Sequence, residues 1–304
     1  MPGSPSSSSS PAASVVPGLM LAGAGSIAFS GKAIIVKLAY RHGVDAVTLI
    51  MLRMLFALPM FLLLAWWAGR GKPPLTRRDW LALLGLGFSG YYLASYLDFA
   101  GLAYISASFE RLILYLNPTL VLFLSWALLG KRVQARQLWA LAISYAGVLV
   151  VFGQELHLQG SDVMLGAALV FGSALSYALY LMYSGEEVRR LGALRLTGLA
   201  TSVACVLCIA QFLLLRPVSS LAEVAPTVLW LSLLNATACT FAPVLMVMMA
   251  IERIGATLAA QTGMIGPMST ILMGVLILGE PFTPWVAAGT VLVMGGVWLL
   301  TRWR

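Results

Sequence analysis

Apolar residues run in long blocks along nearly the whole chain, and polar residues gather in the short intervals between them. A helix crossing the hydrocarbon core of a bilayer needs about 20 such residues. The pattern predicts ten spans, at 17–40, 46–69, 78–102, 104–129, 134–153, 162–184, 192–215, 226–250, 256–278 and 283–302. The gaps leave no room for a soluble domain. The predicted fold class is therefore an all-α membrane protein. Residues 1–16 are rich in Ser, Pro and Ala and predict a disordered tail. They lack the basic start of a secretory signal.

The pattern also repeats. Pro118, Gly130, Gly147 and Val148 recur as Pro267, Gly279, Gly296 and Val297, each 149 residues later. Ile105 and Ala107 recur in step as Ile254 and Ala256, and Trp80-Leu81-Ala82-Leu83-Leu84 returns as Trp230-Leu231-Ser232-Leu233-Leu234. Two weakly similar membrane halves, here 17–153 and 162–302, are a signature of secondary transporters. Pro118 and Pro267 fall mid-span, where each removes a backbone hydrogen bond and kinks its helix. Both read as hinges, and Gly263 and Gly266 add compliance beside the second. Glycines 147, 289, 295 and 296 read as close-packing surfaces.

Composition agrees with a lipid environment: 60% of residues are hydrophobic and 10% charged, against about 25% charged in soluble domains. The net charge of +8 raises the possibility of nucleic acid, but its distribution points elsewhere. With a cytoplasmic N-terminus, Arg70, Lys72, Arg77, Arg78, Lys131, Arg132, Arg136, Arg189, Arg190, Arg195, Arg253, Arg302 and Arg304 all lie inside. Only Arg41 and Arg216 lie outside. This positive-inside bias predicts N-in and C-in. Five spans per half then make the halves inverted, the arrangement that opens a central site to alternate sides. The bilayer and a small-molecule substrate are the expected partners, with no nucleic acid and a monomer as the expected unit.

Six ionisable residues break the apolar blocks: Lys32, Lys37, Arg53, Asp98, Glu110 and Arg111. Each costs roughly 2.5–3.5 kcal/mol at mid-membrane on insertion scales. All six fall in the outer half of the membrane and in the first repeat. They predict a polar cavity wall with both signs of charge, suited to a zwitterion such as an amino acid. A purely structural ion network is the competing reading, favoured for Lys37 and Asp98, which lie close enough to the interface to snorkel. Tyr91, Ser95 and Asp98 follow helical spacing, as do Arg111, Tyr115 and Pro118, and Ser173, Tyr177 and Tyr180. Tyr92, Tyr96 and Phe99 form an adjacent stripe. The predicted cavity residues are Lys32, Arg53, Tyr91, Tyr92, Ser95, Tyr96, Glu110, Arg111, Tyr115, Tyr177, Tyr180 and Gln261.

Other chemistries fit less well. Gly87-Phe88-Ser89-Gly90 resembles the nucleophile motif of rhomboid proteases, but that chemistry needs a histidine base. The chain has only His42 and His157, both in predicted outer loops. No catalytic residue is expected. Cys205 and Cys208 have C-x-x-C spacing, yet no span holds a histidine to complete a metal site. They and Cys239 read as small buried thiols, with no metal or cofactor expected. Nothing resembles a channel's selectivity filter.

The stretch Ile105–Pro118, ISASFERLILYLNP, resembles the fourth span of EamA-type members of the drug/metabolite transporter superfamily. Ile254-Gly255-Ala256 through Gly266-Pro267 to Leu278-Gly279-Glu280 is similar to the same motif in the second half. The resemblance covers 17–302. It implies ten helices in two inverted repeats, a central cavity, and export of metabolites or drugs across the inner (cytoplasmic) membrane. The YddG-type branch implies amino acids, aromatic ones included; sister families carry phosphorylated or nucleotide sugars. Lys131 stands where the family often has Glu, which is expected to affect a loop cap, while Glu280 keeps the pattern.

Overall fold

A computed structural model describes residues 12–130 and 134–302; their regular structure is helical, with no strand among the described residues. The helices are α1 (Ala12–Tyr40), α2 (Ala46–Gly69), α3 (Arg77–Leu86), α4 (Ala94–Leu102), α5 (Ala107–Leu114), α6 (Asn117–Leu129), α7 (Ala135–Gln159), α8 (Asp162–Leu191), α9 (Ala193–Leu215), α10 (Pro226–Ala236), α11 (Ala242–Gly263), α12 (Ile265–Met273) and α13 (Pro284–Arg302). Short π-helical segments, Gly87–Leu93 and Thr237–Phe241, join α3 to α4 and α10 to α11. Eight helical stretches are long and apolar enough to cross a membrane; Ile265–Leu278 and Pro284–Leu300 are shorter apolar helices.

Local chemistry sets the boundaries. Asp45 caps α2 by accepting from the Val47 and Thr48 amides. Thr76 and Asp79 form a reciprocal capping box on α3. Ser106 caps α5 through the Phe109 amide. The αL glycines Gly130 (φ 63°) and Gly279 (φ 74°) end the two motif-bearing helices at equivalent positions. Gly255, at φ 78° and ψ 158°, breaks α11 where the sequence predicts a gap. Its counterpart in the first half is Ser106, the α5 cap.

Three expected boundaries move. Helix α1 opens at Ala12, inside the stretch expected as a tail; residues 1–11 lie outside the described residues. Helices α7 and α8 run past their predicted ends at 153 and 184, to Gln159 and Leu191. His157, Arg189 and Arg190 therefore sit on final helical turns rather than in loops. Hydrogen bonding carries a helix beyond the hydrocarbon region until a residue with positive φ stops it. Gly160 (φ 83°) and Gly192 (φ 86°) do so here.

Packing treats the halves as equivalents. Helix α1 packs on α11, and its counterpart α8 packs on α4. The contact of α1 with α12 is matched by that of α8 with α6. Two equivalent pairs meet each other directly: α2 with α9, and α7 with α13. A Cβ at Gly147 would lie 2.7 Å from the Gly289 carbonyl, and one at Gly296 2.7 Å from the Ala140 carbonyl. These glycines set the approach of α7 to α13, as expected. Gly295 differs, because nothing lies within 4 Å of its Cβ position. The largest apolar core surrounds α2 and takes in Ile50, Met54, Phe61, Phe99 and Phe212, with the fully buried Cys205 and Cys208 beside them.

Candidate functional site

Helices α1, α4 and α5 bring three of the intramembrane charges together. The Lys32 ammonium pairs with Asp98 and lies 3.4 Å from Glu110 Oε1. Glu110 is 0% exposed and Asp98 2%. Asp98 therefore does not snorkel; Lys32 holds it in the interior. Neither Glu110 oxygen, nor Asp98 Oδ1, is matched by a hydrogen-bond donor. On α2, the buried Arg53 guanidinium lies 4.5 Å from the centre of the Phe99 ring, with no acceptor for its Nε. A desolvated cation–π contact contributes about 2 kcal/mol. Burying a charge costs several kcal/mol, so Phe99 only partly offsets the burial of Arg53.

Arg111 does not pair with its neighbour Glu110, since adjacent residues on a helix face different directions. It donates from Nε to Thr270 Oγ1 at 2.9 Å and from Nη2 to the Phe29 carbonyl at 3.2 Å. Through Thr270 it joins the first half to α12.

A cavity of 860 Å³ lies where α1, α4 and α7 end and α2, α5 and α13 begin. Its charged lining is Lys37, Arg41, Asp45, Glu155 and Glu280, with Tyr40, Tyr96 and Tyr104. Lys37 lies five residues beyond Lys32 on α1, about 7.5 Å along the axis. Ser106 and Ser108, also in the lining, begin the turn that carries Glu110. The ion cluster thus lies one to two turns deeper than the cavity along α1 and α5.

Charges around the cavity are tied to helix ends. Glu280, from the second half, accepts from the Ala107 amide (2.7 Å), the Ser108 amide (3.1 Å) and the Ser108 hydroxyl (2.6 Å). A carboxylate there satisfies orphan donors and the positive end of the α5 dipole. Glu155 accepts from the Ser106 hydroxyl at 2.5 Å. Lys37 donates to the Leu102 and Ile105 carbonyls at 3.2 and 3.0 Å, and Arg41 to the Leu278 carbonyl at 2.7 Å. Partial burial opposes ionisation of Asp45. The Thr48 hydroxyl and amide, Arg216 and the Val47 amide outweigh it and hold the carboxyl below its ordinary pKa.

The tyrosines separate into different environments. Tyr91 and Tyr180 hydroxyls lie 3.1 Å apart, and Tyr177 stacks on Tyr180 at 5.4 Å, in an apolar cluster with Leu83, Leu86 and Leu196. The predicted shared face of Tyr91, Ser95 and Asp98 does not hold. The π-helical turn at Gly87–Leu93 shifts the register, so Tyr91 meets α8 while Asp98 meets α1. Ser95 is half-buried on α4. Tyr92 packs beside Phe88 and the α2 core, Tyr96 joins that core and lines the cavity, and Tyr115 packs near Phe109. Pro118 follows a break at Tyr115–Leu116, and Pro267 a break at Met264, at matching positions. The Gln261 side chain, like Lys131 and Arg132, lies outside the described residues. Sequence reasoning missed Glu155, and it named Glu280 only as a motif residue at a loop cap, not as a partner of α5. Both lie near predicted span ends, where an acidic residue reads as solvated, and only tertiary folding brings them to α5.

A many-helix apolar bundle with paired halves and a buried charged cluster defines a multi-pass membrane transporter. The chain belongs to the EamA-like transporter family, which matches residues 16–153 and again 164–302. It is 28% identical over 268 residues to the uncharacterized transporter YcbK of Bacillus subtilis, covering 84% of this chain and 83% of that one. An uncharacterized transporter of Archaeoglobus fulgidus is 23% identical over 278 residues, covering 90% and 93%. A solved crystal structure shares the fold with a TM-score of 0.62 at 16% identity, across 96% of this chain and 98% of the other. Family membership points to transport rather than to proteolysis at Ser89, whose hydroxyl donates to the Gly85 carbonyl.

Proposed function

We propose that the protein is a secondary transporter that exports small metabolites, amino acids foremost, by alternating access. The observation that carries this reading is the set of unmatched buried atoms below the 860 Å³ cavity. Glu110 and Asp98 offer acceptors to an ammonium, and Arg53 offers a donor to a carboxylate. A zwitterion supplies both groups. Buried polar atoms are normally satisfied, so such a set marks a place where a ligand completes the bonding. The substrate class matches the YddG-type branch. A phosphorylated ligand would draw on cations from both halves, whereas the second half meets this region with Thr270.

Ten crossings with inverted halves and both termini on the cytoplasmic side of the inner membrane fit the same reading. Arg216 lies 3.4 Å from Asp45, and Arg41 reaches the Leu278 carbonyl, so segments following odd-numbered spans meet at one end. Lys72 reaches the Leu191 carbonyl at 3.0 Å and Arg195 the Pro73 carbonyl at 3.1 Å, so segments following even-numbered spans meet each other. The matching breaks before Pro118 and Pro267 supply hinges at equivalent depth. Purified protein in proteoliposomes is expected to give saturable counterflow of tritiated amino acids, L-phenylalanine among them. Flux that rises linearly with concentration, or none across the full set of amino acids, would sink this reading.

A further inference from the structure

The Lys32 ammonium occupies the position that a transported ammonium would seek. It pairs with Asp98 and lies 3.4 Å from Glu110 Oε1, and among the described residues no other cation forms an ion pair with either carboxylate. The other nearby cations are engaged elsewhere: Arg111 with Thr270 and the Phe29 carbonyl, Arg53 with the Phe99 ring. Lys32 is also the most accessible of the three, with 17% of its side chain exposed against 3% for Asp98 and 0% for Glu110. It stands on α1, the helix that packs on both α11 and α12 of the second half.

A carrier moves net material only if it can reorient unloaded. Buried carboxylates without a cation resist enclosure in a low-dielectric interior. A lysine on a flexible stem removes that obstacle, because its ammonium can be displaced and can return. We infer that Lys32 is a tethered counter-cation. It offsets one of the two carboxylate charges of Asp98 and Glu110 in the empty carrier, yields them to the ammonium of the load, and so permits net efflux rather than obligatory exchange. The ligand class is a primary amine, and the inference rests on the alternating-access reading above. Displacing Lys32 also lowers the apparent affinity, since only the fraction of carriers with the site free binds the load.

The test uses proteoliposomes loaded with tritiated L-phenylalanine. Efflux is followed with and without unlabelled phenylalanine outside, and the ratio of exchange to net efflux is the readout. In the wild type the ratio is expected within about twofold of one, and in Lys32→Gln it is expected to rise about tenfold or more as net efflux falls and exchange persists. Lys32→Gln/Asp98→Asn, which removes one carboxylate along with the lysine, should return the ratio towards the wild-type value. Obligatory exchange in the wild type would overturn the inference, as would an unchanged ratio in Lys32→Gln or equal loss of both modes. If Lys32→Gln fails to fold, the wild-type ratio and the double variant decide. Absence of any saturable wild-type flux overturns the amino-acid reading and this inference together, whereas wild-type flux with an unaltered variant ratio overturns the role of Lys32 alone.

Discussion

The two halves place different chemistry on matching backbone. Helix α5 and the final turns of α11 hold equivalent positions. Each breaks three residues before a proline, at Tyr115 and Met264, and each motif-bearing helix stops at an αL glycine, Gly130 and Gly279. At the positions equivalent to Glu110 and Arg111, the second half carries Ala259 and Ala260. The shared features are those that backbone geometry demands. The unshared ones are costly charges that geometry does not require. Under the proposed function, movement is assigned to what the halves share, and recognition to what they do not.

The sharpest way to break this contrast is to neutralise the unshared charge. Glu110→Gln is expected to lower transport about 10- to 150-fold, the range for losing a charged hydrogen-bonding partner. Arg111→Ala is expected to impair transport less, by releasing Thr270 and the Phe29 carbonyl. Both variants should still insert and fold. Ala259→Ser, at the equivalent site, is expected to stay near wild-type rates. Uptake assays on the three purified variants decide it, and wild-type rates in Glu110→Gln would remove the first half's special role.

A smaller effect tests the shared skeleton. Gly296 and Gly295 are neighbours on α13, but only Gly296 faces the α7 backbone, where a Cβ would lie 2.7 Å from the Ala140 carbonyl. Gly296→Val is expected to destabilise by about 1–3 kcal/mol, as overpacking does. Gly295→Ala should be neutral or slightly stabilising, given that alanine is the better helix former. Melting temperatures in detergent distinguish the two, and equal losses would show that α7 and α13 do not meet through this face.

The sequence made the spans and the repeat legible because both follow from the length and phase of apolar blocks. Buried charges were legible for a related reason: each is improbable in lipid unless something holds it there. Asp98 and Glu110 were recognisable as outliers, but their sharing of Lys32 depends on how α1, α4 and α5 meet, which span-by-span periodicity does not encode. The helical-face argument for Tyr91 and Asp98 failed at one identifiable place, the π-helical turn at Gly87–Leu93. That turn has an equivalent at Thr237–Phe241, yet the residues offer no signal of it beyond Gly87 and Gly90, which face neighbouring helices closely. Glu155, and the role of Glu280 at α5, were hidden because their partners lie 49 and more than 170 residues away.

The smallest effect lies where the halves meet at the surface. Asp45 precedes α2, and Arg216 follows α9, the equivalent helix; their charges lie 3.4 Å apart and are well exposed. Asp45→Asn keeps the cap on α2, because asparagine caps about as well as aspartate, and removes only the charge. Its cost is expected to be a few tenths of a kcal/mol at most, since solvent screens an exposed pair. The pH dependence identifies the source. Burial alone would raise the carboxyl's pKa, but Thr48, Arg216 and the Val47 amide bring it below the ordinary value. A carboxyl lowered in the folded state contributes fully above its unfolded pKa of about 3.9 and loses that contribution as pH falls through the lower folded value. The stability difference between wild type and Asp45→Asn should therefore be constant near neutrality and vanish in acid. A difference that persisted in acid would assign the effect to cap geometry. One that vanished in high salt at neutral pH would assign it to Arg216, and so to the contact between the halves.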